Sequence, residues 1–252
     1  MENPIYIISD NHFSMNASNE KEIDRRNKLF QVFDKIKLKE QATLIIGGDF
    51  FDYWFEYKNV IPNGYDSIIA SLKDLVNNGI DIHYVLGNHD YWDFGYFKNE
   101  IGVTTHKGNL TINHNDKILI THGDGLLKND YGYRIMKSII RHPLFIKIYK
   151  MFPPSFTCRL ANNISKVSSH YNHHPFDSHA DLIKKDILEF AKQQWIEGFD
   201  TVLVGHYHQT GIIEEQNHKL IFLGDWLSKF TVTVINEKKY WQGDWKDFID
   251  LA

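Results

Sequence analysis

The chain has 252 residues, a formal net charge of −4 at pH 7 and 42% hydrophobic residues. That length suits one large domain with a packed core. A net negative charge argues against nucleic acid as a partner, because polyanion binders usually carry a basic excess. The single cysteine, Cys158, excludes an internal disulfide and suits a reducing compartment. No apolar run approaches the roughly 18 residues of a membrane span, so we predict neither a transmembrane helix nor a signal peptide.

The first half of the chain alternates apolar strands with amphipathic helices. We predict strands at residues 5–9, 43–46 and 82–86, separated by helices at about 19–36 and 65–78. Ser18 or Asn19 is the predicted cap of the first helix, Ile23 lies on its predicted buried face, and Gly79 ends the second helix. Strands alternating with helices are typical of βαβ units, so this half predicts an α/β fold with a parallel sheet.

The second half begins and ends with hairpins. The pattern predicts strands at 110–112, 117–121 and 201–204, a helix at about 178–197, and further hairpins from 211 to 245. We find no internal repeat, linker or low-complexity segment. The chain is therefore predicted to be a single domain covering residues 1–252.

Residues 131–176 form a window without any Asp or Glu. Seven basic residues lie in it, namely Arg134, Lys137, Arg141, Lys147, Lys150, Arg159 and Lys166. Its middle is rich in large apolar residues such as Leu144, Phe145, Ile148 and Phe152. We interpret the window as a helical insertion whose 134–166 segment suits contact with phosphate, acyl chains or an anionic membrane surface. The alternative is a helical cap whose apolar residues pack on the core.

Five predicted strands each end in a tight turn that carries Asp, His or Asn. These turns are Asp10-Asn11-His12, Gly48-Asp49 to Asp52, Gly87-Asn88-His89-Asp90, His122-Gly123-Asp124 and Gly205-His206-Tyr207-His208. Each turn alone is ordinary, but open α/β sheets bind ligands beyond the carboxyl ends of their strands. Carboxylate, imidazole and amide ligands suit a pair of divalent ions such as Mn²⁺, Fe²⁺ or Zn²⁺. We therefore predict a two-metal centre in which an activated water attacks phosphorus.

The order of these motifs resembles the calcineurin-like metallophosphoesterases from Asp10 to His208. The resemblance implies an α/β fold, a four-layer αββα sandwich with a helical lid insertion. It also implies two metal ions, with Mn²⁺ preferred, bridged by Asp49. The remaining ligands would be Asp10, His12 and His208 for one ion and Asn88, His122 and His206 for the other. His89 would be the catalytic imidazole, oriented by Asp52, and we expect Phe50 and Phe51 to wall the site.

Residues 122–133 resemble a stretch of the UDP-2,3-diacylglucosamine hydrolases of lipid A biosynthesis. The chain length, the helical insertion at 131–176 and the late Gly224-Asp225-Trp226 are also similar. The resemblance implies that Asp130 and Tyr133 contact the substrate head group and that the insertion is a lid over the acyl chains. Counterparts of that family's lid residues are Asn163, Ser165 and Lys166. One departure is His89, because the best-known branch has Arg there.

The leading hypothesis is hydrolysis of the pyrophosphate bond of UDP-2,3-diacylglucosamine, giving UMP and 2,3-diacylglucosamine 1-phosphate. We expect the protein in the cytoplasm, peripheral on the inner face of the membrane, with no nucleic acid and no obligate protein partner. One alternative is a phosphoesterase that acts on a soluble phosphodiester, nucleotide or phosphoprotein. Another is a metal-free interaction scaffold, but that class loses metal ligands and all of them are present here. We interpret His170, His173 and His174 as surface residues of the lid.

Overall fold

The computed structural model describes residues 4–57, 60–113, 115–153 and 180–251. The strands are β1 (Ile5–Ile8), β2 (Thr43–Ile46), β3 (Asp81–Val85), β4 (Thr104–His106), β5 (Leu110–Asn113), β6 (Lys117–Thr121), β7 (Thr201–Val204), β8 (Thr210–Glu215), β9 (His218–Leu223), β10 (Thr231–Asn236) and β11 (Lys239–Asp244). The α-helices are α1 (Glu20–Lys37), α2 (Asp66–Asn77), α3 (Tyr131–Ile140), α4 (Pro143–Tyr149), α5 (Ala180–Ile196) and α6 (Trp245–Asp250), and Phe97–Ile101 is a π-helical turn.

The strands form two sheets that pack face to face. One has six strands in the order β11-β10-β1-β2-β3-β4, and the other has five in the order β5-β6-β7-β9-β8. β1, β2, β3 and β4 are mutually parallel, as are β6, β7 and β9. The carboxyl ends of β1, β2 and β3 therefore share one edge of the first sheet, and those of β6 and β7 share one edge of the second.

Three apolar layers hold the sandwich together. Between the sheets, Ile7 and Ile45 belong to the same buried cluster as Leu203 and Ile221. On the outer face of the six-stranded sheet lie the buried side chains of α1, α2 and α6, and on the outer face of the other sheet lie those of α5. β1 and β2 are buried on both faces, which explains their unbroken apolar sequences. The predicted four-layer αββα sandwich is confirmed.

Helix α1 agrees with the sequence in its start but not in its buried face. The Asn19 side chain accepts hydrogen bonds from the backbone N–H of Lys21 and Glu22, so Asn19 is the cap and Ser18, the other predicted candidate, is not. The prediction for Ile23 was wrong, since 42% of this residue is exposed. Glu22 and Arg26 occupy the buried face instead, because they form an ion pair with 2.8 Å between Arg26 Nε and Glu22 Oε1.

The insertion is described as far as residue 153, where it consists of α3 and α4. Neither helix contains a fully buried residue, and the large apolar side chains of Ile135, Met136, Ile139, Leu144 and Ile148 are exposed. We refer to residues 131–149 as the α3–α4 segment. Within the described residues, no helix combines the length and apolar character needed to cross a bilayer.

Candidate active site

The five predicted turns follow β1, β2, β3, β6 and β7, and their side chains meet where the two sheets open. We call this set the ligand rim: Asp10, His12, Asp49, Asn88, His122, His206 and His208. Three of the turns follow strands of the six-stranded sheet and two follow strands of the five-stranded sheet. The packing of the two sheets therefore brings residues that are distant in sequence close together. The rim contains all seven residues that the sequence predicted as metal ligands.

The first group in the rim consists of Asp10, His12 and His208. Each offers one ligand atom, and these atoms all lie within 4.8 Å of one another. The His208 Nε2 to Asp10 Oδ1 distance is 3.5 Å. Asp10 is fully buried, and its carboxylate accepts hydrogen bonds from Ser9 Oγ at 2.6 Å and from the backbone N–H of His206 at 3.0 Å. These bonds fix the carboxylate in place.

The second group consists of Asp49, His122 and His206, whose ligand atoms also lie within 4.8 Å of one another. His122 Nδ1–H donates to the carbonyl of Gly47 at 3.1 Å, which leaves Nε2 facing the rim. That nitrogen lies 3.1 Å from Asn88 Oδ1 and 3.3 Å from Asp49 Oδ2. The Asn88 amide oxygen therefore joins this group, as the sequence predicted.

Asp49 lies between the two groups. Its Oδ2 is 3.7 Å from His12 Nε2 in the first group and 3.3 Å from His122 Nε2 in the second. Its Oδ1 accepts the backbone N–H of His89 at 2.8 Å. One buried carboxylate thus faces an imidazole of each group, which is the geometry that a bridging ligand requires.

His89 lies beside the rim and belongs to a third set of converging ligand atoms, with His12 and Asp52. Its Nδ1–H donates to the backbone carbonyl of Asp52 at 2.7 Å, whereas the Asp52 carboxylate lies 3.7 Å away. The main-chain carbonyl of Asp52, the residue that the resemblance implies for this role, therefore orients the ring. In this tautomer, Nε2 is the nitrogen that exchanges a proton.

Backbone strain is concentrated in the rim. Among the described residues, eight other than glycine have positive φ, and five of those are rim residues: Asp10, His12, Asp49, His206 and His208. Such conformations persist only where the surrounding structure imposes them, and they cluster at functional sites. Here the imposing bonds run between turns, from Asp10 N to Gly48 O at 3.0 Å and from His12 N to Asp49 O at 2.8 Å. The sequence did not indicate this strain.

Two glycines allow the turns to approach closely. A Cβ on Gly87 would lie 2.1 Å from Asp49 Oδ1, and one on Gly48 would lie 2.3 Å from His122 Nδ1. Gly48 also has a φ of 108°. Any side chain at either position would displace a rim residue. The cradle formed by these glycines, together with its carboxylate, imidazole and amide donors, fits divalent cations of borderline hardness.

The electrostatics of the rim put Asp49 and His206 in the forms that bind metal. Burial lowers the pKa of His122, but the charge of Asp49 outweighs it and raises that pKa to about 10, so His122 would release a proton on binding an ion. Burial acts to raise the pKa of Asp49, but the charges of His122 and His89 outweigh it and hold that pKa well below its usual range. Burial and the charge of His122 lower the pKa of His206 to about 4. Asp49 is therefore ionised and His206 neutral near pH 7, and these are the forms that bind metal.

Asp124, the last residue of the His122-Gly123-Asp124 turn, has no role predicted from the sequence. Its Oδ2 accepts from Tyr133 Oη at 3.0 Å, from Arg141 at 3.0 Å and from Lys137 Nζ at 2.8 Å. These three partners are spaced four residues apart and form one stripe along α3 and its C-cap residue, Arg141. Arg141 also donates to the carbonyl of Gly87 at 3.2 Å, next to Asn88. The four-residue spacing of Tyr133, Lys137 and Arg141 was the available signal in the sequence.

The predicted substrate-contact residues fall into two sets. Tyr133 lies beside the rim, with its ring centroid 6.1 Å from that of His206, and Asp130 is the partly buried residue before α3. The other three, Asn163, Ser165 and Lys166, lie outside the described residues, as do Cys158, His170, His173 and His174. The structure therefore places two of these five predictions.

The expectation that Phe50 and Phe51 wall the site was wrong. Both are fully buried, and Phe51 packs against Trp54 and Tyr65 with ring centroids 5.0 and 4.5 Å away. The turn after β2 directs Asp49 to the rim and the two phenyl rings into the core, because large apolar rings gain more from burial there.

With the geometry established, comparison with known proteins identifies the class. The chain matches the calcineurin-like phosphoesterase family over residues 3–210 and belongs to that family. It is therefore a hydrolase, a metal-dependent phosphoesterase, and membership implies divalent metal ions at the site.

Some of the similar proteins carry names that are more specific than the family. A Porphyromonas gingivalis protein named UDP-2,3-diacylglucosamine hydrolase is 28% identical over 243 residues, covering 90% of this chain and 92% of its own. A Neisseria meningitidis protein of the same name is 27% identical over 224 residues, covering 88% and 90%. A solved structure described as a novel archaeal phosphodiesterase aligns with a TM-score of 0.45 and 16% identity, covering 95% of this chain and 98% of its own.

Proposed function

We propose that this protein hydrolyses the pyrophosphate bond of UDP-2,3-diacylglucosamine at a dinuclear metal centre, giving UMP and 2,3-diacylglucosamine 1-phosphate. The observation that carries the chemistry is the position of Asp49 between two groups of ligands. The names of the similar proteins from Porphyromonas gingivalis and Neisseria meningitidis support the substrate. Water forms a new bond to one phosphorus, the bond from that phosphorus to the bridging oxygen breaks, and the bridging oxygen leaves with the other phosphate and takes up a proton. Both products are phosphate monoesters.

The ligand rim would hold both ions. Asp10, His12 and His208 would bind the first, Asn88, His122 and His206 the second, and Asp49 both. When bound, the ions polarise the phosphoryl oxygens and lower the pKa of a bound water. The donor set contains no thiolate, and its mixture of oxygen and imidazole suits Mn²⁺, which is our proposed ion, while also accepting Fe²⁺ or Zn²⁺.

His89 would move the proton. Its Nδ1–H bond to the Asp52 carbonyl holds the ring at the edge of the rim, and Nε2 would give a proton to the departing phosphate oxygen. The nearby carboxylates of Asp49 and Asp52 outweigh burial and raise the pKa of His89, so the ring holds its proton more firmly. The carboxylate of Asp52, 3.7 Å away, would stabilise the imidazolium form.

The polar stripe of α3 would receive the charge of the diphosphate. Lys137 and Arg141 bring two cations to Asp124 beside the rim, and the Arg141 guanidinium also reaches the peptide next to Asn88. A diphosphate at the rim would meet this guanidinium and the hydroxyl of Tyr133. We propose that Asp130 and Tyr133 contact the head group, with Asn163, Ser165 and Lys166 as further contacts.

The apolar side of the α3–α4 segment would contact the acyl chains. Ile135, Ile139, Leu144 and Ile148 are exposed, and the helices that carry them bury no residue. Exposed apolar clusters of this kind are typical of lipid or protein contacts. We propose that residues 131–176 form the lid and that the protein works at the inner face of the cytoplasmic membrane, where the basic residues of the 134–166 segment favour anionic lipid.

The test is a Mn²⁺-supplemented assay of three substrates: UDP-2,3-diacylglucosamine, bis-p-nitrophenyl phosphate and DNA. We expect rapid release of UMP from the first, slow cleavage of the second and no cleavage of DNA. Asp49→Asn is the control for the metal centre and should lower both activities on the order of 10³-fold, because it removes the shared charge.

The outcomes separate the two parts of the proposal. An inert lipid nucleotide with turnover of the generic diester would refute the substrate and favour the alternative, a phosphoesterase acting on a soluble phosphodiester, nucleotide or phosphoprotein. Full activity of Asp49→Asn would refute the bridging role of the carboxylate.

A further inference from the structure

Two cationic side chains, Arg25 and Lys229, donate hydrogen bonds to the main chain of the strained turns in the first ligand group. Asp10, His12 and His208 have φ angles of 52°, 44° and 53°. Arg25 donates through one terminal nitrogen to the carbonyls of Asn11 and His12, the latter at 3.3 Å. Lys229 donates through Nζ to the carbonyl of His208. Each cation therefore bonds the main chain of a turn and leaves the ligand atoms to face the rim.

Arg25 is itself fixed in place on α1. Its guanidinium pairs with the buried carboxylate of Glu22 at 2.9 Å, and its Nε donates to the carbonyl of Trp226 at 3.1 Å. In return, the Trp226 indole N–H donates to the carbonyl of Arg25 at 3.0 Å. The backbone N–H of Trp226 also donates to the carbonyl of Asp10 at 3.1 Å. The first turn is thus held by α1 and by the loop between β9 and β10 together.

Lys229 comes from that same loop, which is organised by Asp225. The Asp225 carboxylate is buried and accepts the backbone N–H groups of Leu227, Ser228 and Lys229 at 2.9, 2.6 and 3.1 Å. Its second oxygen lies 3.5 Å from Lys229 Nζ. The ammonium group is therefore fixed between Asp225 and the carbonyl of His208. The late Gly224-Asp225-Trp226 motif acquires a role that the sequence alone left unassigned.

The second ligand group is positioned by other contacts. His122 is oriented by the carbonyl of Gly47, and Asp49 accepts the backbone N–H of His89. The hydrogen bonds that the structure gives to Arg25 and Lys229 go to the turns of the first group and to their own local partners. Arg25 and Lys229 therefore contact the turns of the first group directly, whereas the two groups remain linked through Asp49 and through the hydrogen bond from the backbone N–H of His206 to Asp10.

We infer that Arg25 and Lys229 are positioning residues that hold the turns of Asp10, His12 and His208 in their left-handed conformation and thereby set the metal affinity of the first site more strongly than that of the second. The inference rests on the ligand assignment of the proposed function. Neither residue touches the reacting atoms. Groups that orient metal ligands from outside typically change affinity 10- to 100-fold when removed.

The experiment measures Mn²⁺ affinity one site at a time by calorimetry on metal-stripped protein. His122→Ala leaves the first group intact, and His208→Ala leaves the second. In the His122→Ala background, Arg25→Met and Lys229→Met should each weaken Mn²⁺ binding at least about tenfold. In the His208→Ala background, the same substitutions should weaken Mn²⁺ binding several-fold less than they do at the first site.

Lys28→Met is the matched control. Lys28 lies on α1 one turn after Arg25, and its ammonium contacts the Phe230 ring of the same loop at 4.2 Å. It should leave both affinities unchanged. Arg25→Lys and Lys229→Arg should recover part of the affinity, because each restores a cationic donor. Thermal unfolding of each variant checks the fold, and Lys229, which is 35% exposed, is the substitution that should perturb it less.

Equal weakening at both sites, or none at either, would overturn the inference and leave the dinuclear assignment intact. Wild-type protein that binds fewer than two Mn²⁺ ions would refute the dinuclear assignment and this inference together. Because the readout is metal affinity, a wrong lipid substrate would leave the result unaffected.

Discussion

The ligand rim and the α3–α4 segment are neighbours with opposite physical characters. In the rim, Asp10 and Asp49 are at most 1% exposed, and five residues hold a backbone conformation that only the surrounding structure can impose. In the α3–α4 segment no residue is fully buried, and large apolar side chains face outward. One region is fixed by many buried hydrogen bonds, and the other is attached at the surface, through its polar stripe and through Tyr149, whose ring packs on that of Phe55 with 4.6 Å between the centroids.

This difference suggests a division of labour. A rigid, charged rim is suited to stabilising charge as it develops on phosphorus, whatever the rest of the substrate is. An exposed apolar surface contributes binding only to a substrate that has apolar groups to bury. Substitutions in the rim should therefore impair every phosphoester equally, and substitutions in the α3–α4 segment should impair the lipid substrate alone.

The largest expected effect is that of His89→Ala. Losing the proton donor should lower kcat about 10²- to 10⁴-fold for both UDP-2,3-diacylglucosamine and bis-p-nitrophenyl phosphate. Steady-state kinetics on both substrates, with Mn²⁺ content measured alongside, checks the result. A loss confined to the lipid substrate would place His89 with the α3–α4 segment and break the comparison.

Arg141→Met should have an intermediate effect, because this residue links the two regions. It removes a guanidinium that contacts Asp124 and the carbonyl of Gly87. A charged hydrogen bond contributes about 2 kcal/mol, so kcat/KM for the diphosphate substrate should fall roughly 30-fold. The diester, which has one phosphate, should lose less. Equal losses for the two substrates would assign Arg141 to the rim, and Arg141→Lys measures how much of the effect is charge alone.

Leu144→Asp should have the smallest effect and the most selective one. This side chain is 59% exposed, so the substitution should leave the free energy of unfolding nearly unchanged. It should raise KM for the lipid substrate roughly tenfold through lost apolar contact and leave the diester unaffected. Leu38→Asp, at a residue 76% exposed after α1, is the matched control and should affect neither substrate. Unchanged kinetics for Leu144→Asp would remove the segment from lipid recognition.

The sequence predicted most of the fold and the membership of the rim because both depend on strand ends. Unbroken apolar runs such as Thr43–Ile46 mark strands buried on both faces, and parallel strands bring their carboxyl ends together. The residues after those runs must then share one edge. Asn19 and Gly79 were likewise readable, since their effects are local to one helix end.

What the sequence missed depends on contacts between distant segments. The left-handed conformation of Asp10 is imposed by bonds such as the one from its backbone N–H to the carbonyl of Gly48. The local sequence Asp10-Asn11-His12 does not predict this conformation. Ile23 is exposed because the ion pair of Glu22 and Arg26 occupies the buried face of α1, where an apolar residue was expected. Asp124 bonds Tyr133 and Arg141 because α3 lies beside the rim in the fold, and this placement cannot be read from the local sequence.

Each ligand group draws on both sheets of the sandwich. In the first, Asp10 and His12 follow β1 of the six-stranded sheet, and His208 follows β7 of the other. In the second, Asp49 follows β2, and His122 and His206 follow β6 and β7. On the proposed assignment, each cation would bind ligands from both sheets and so stabilise the contact between them. Ion binding is then linked to the packing of the two sheets, so the buried cluster that contains Ile45 and Leu203 supports ion affinity by holding the ligands of the two sheets together.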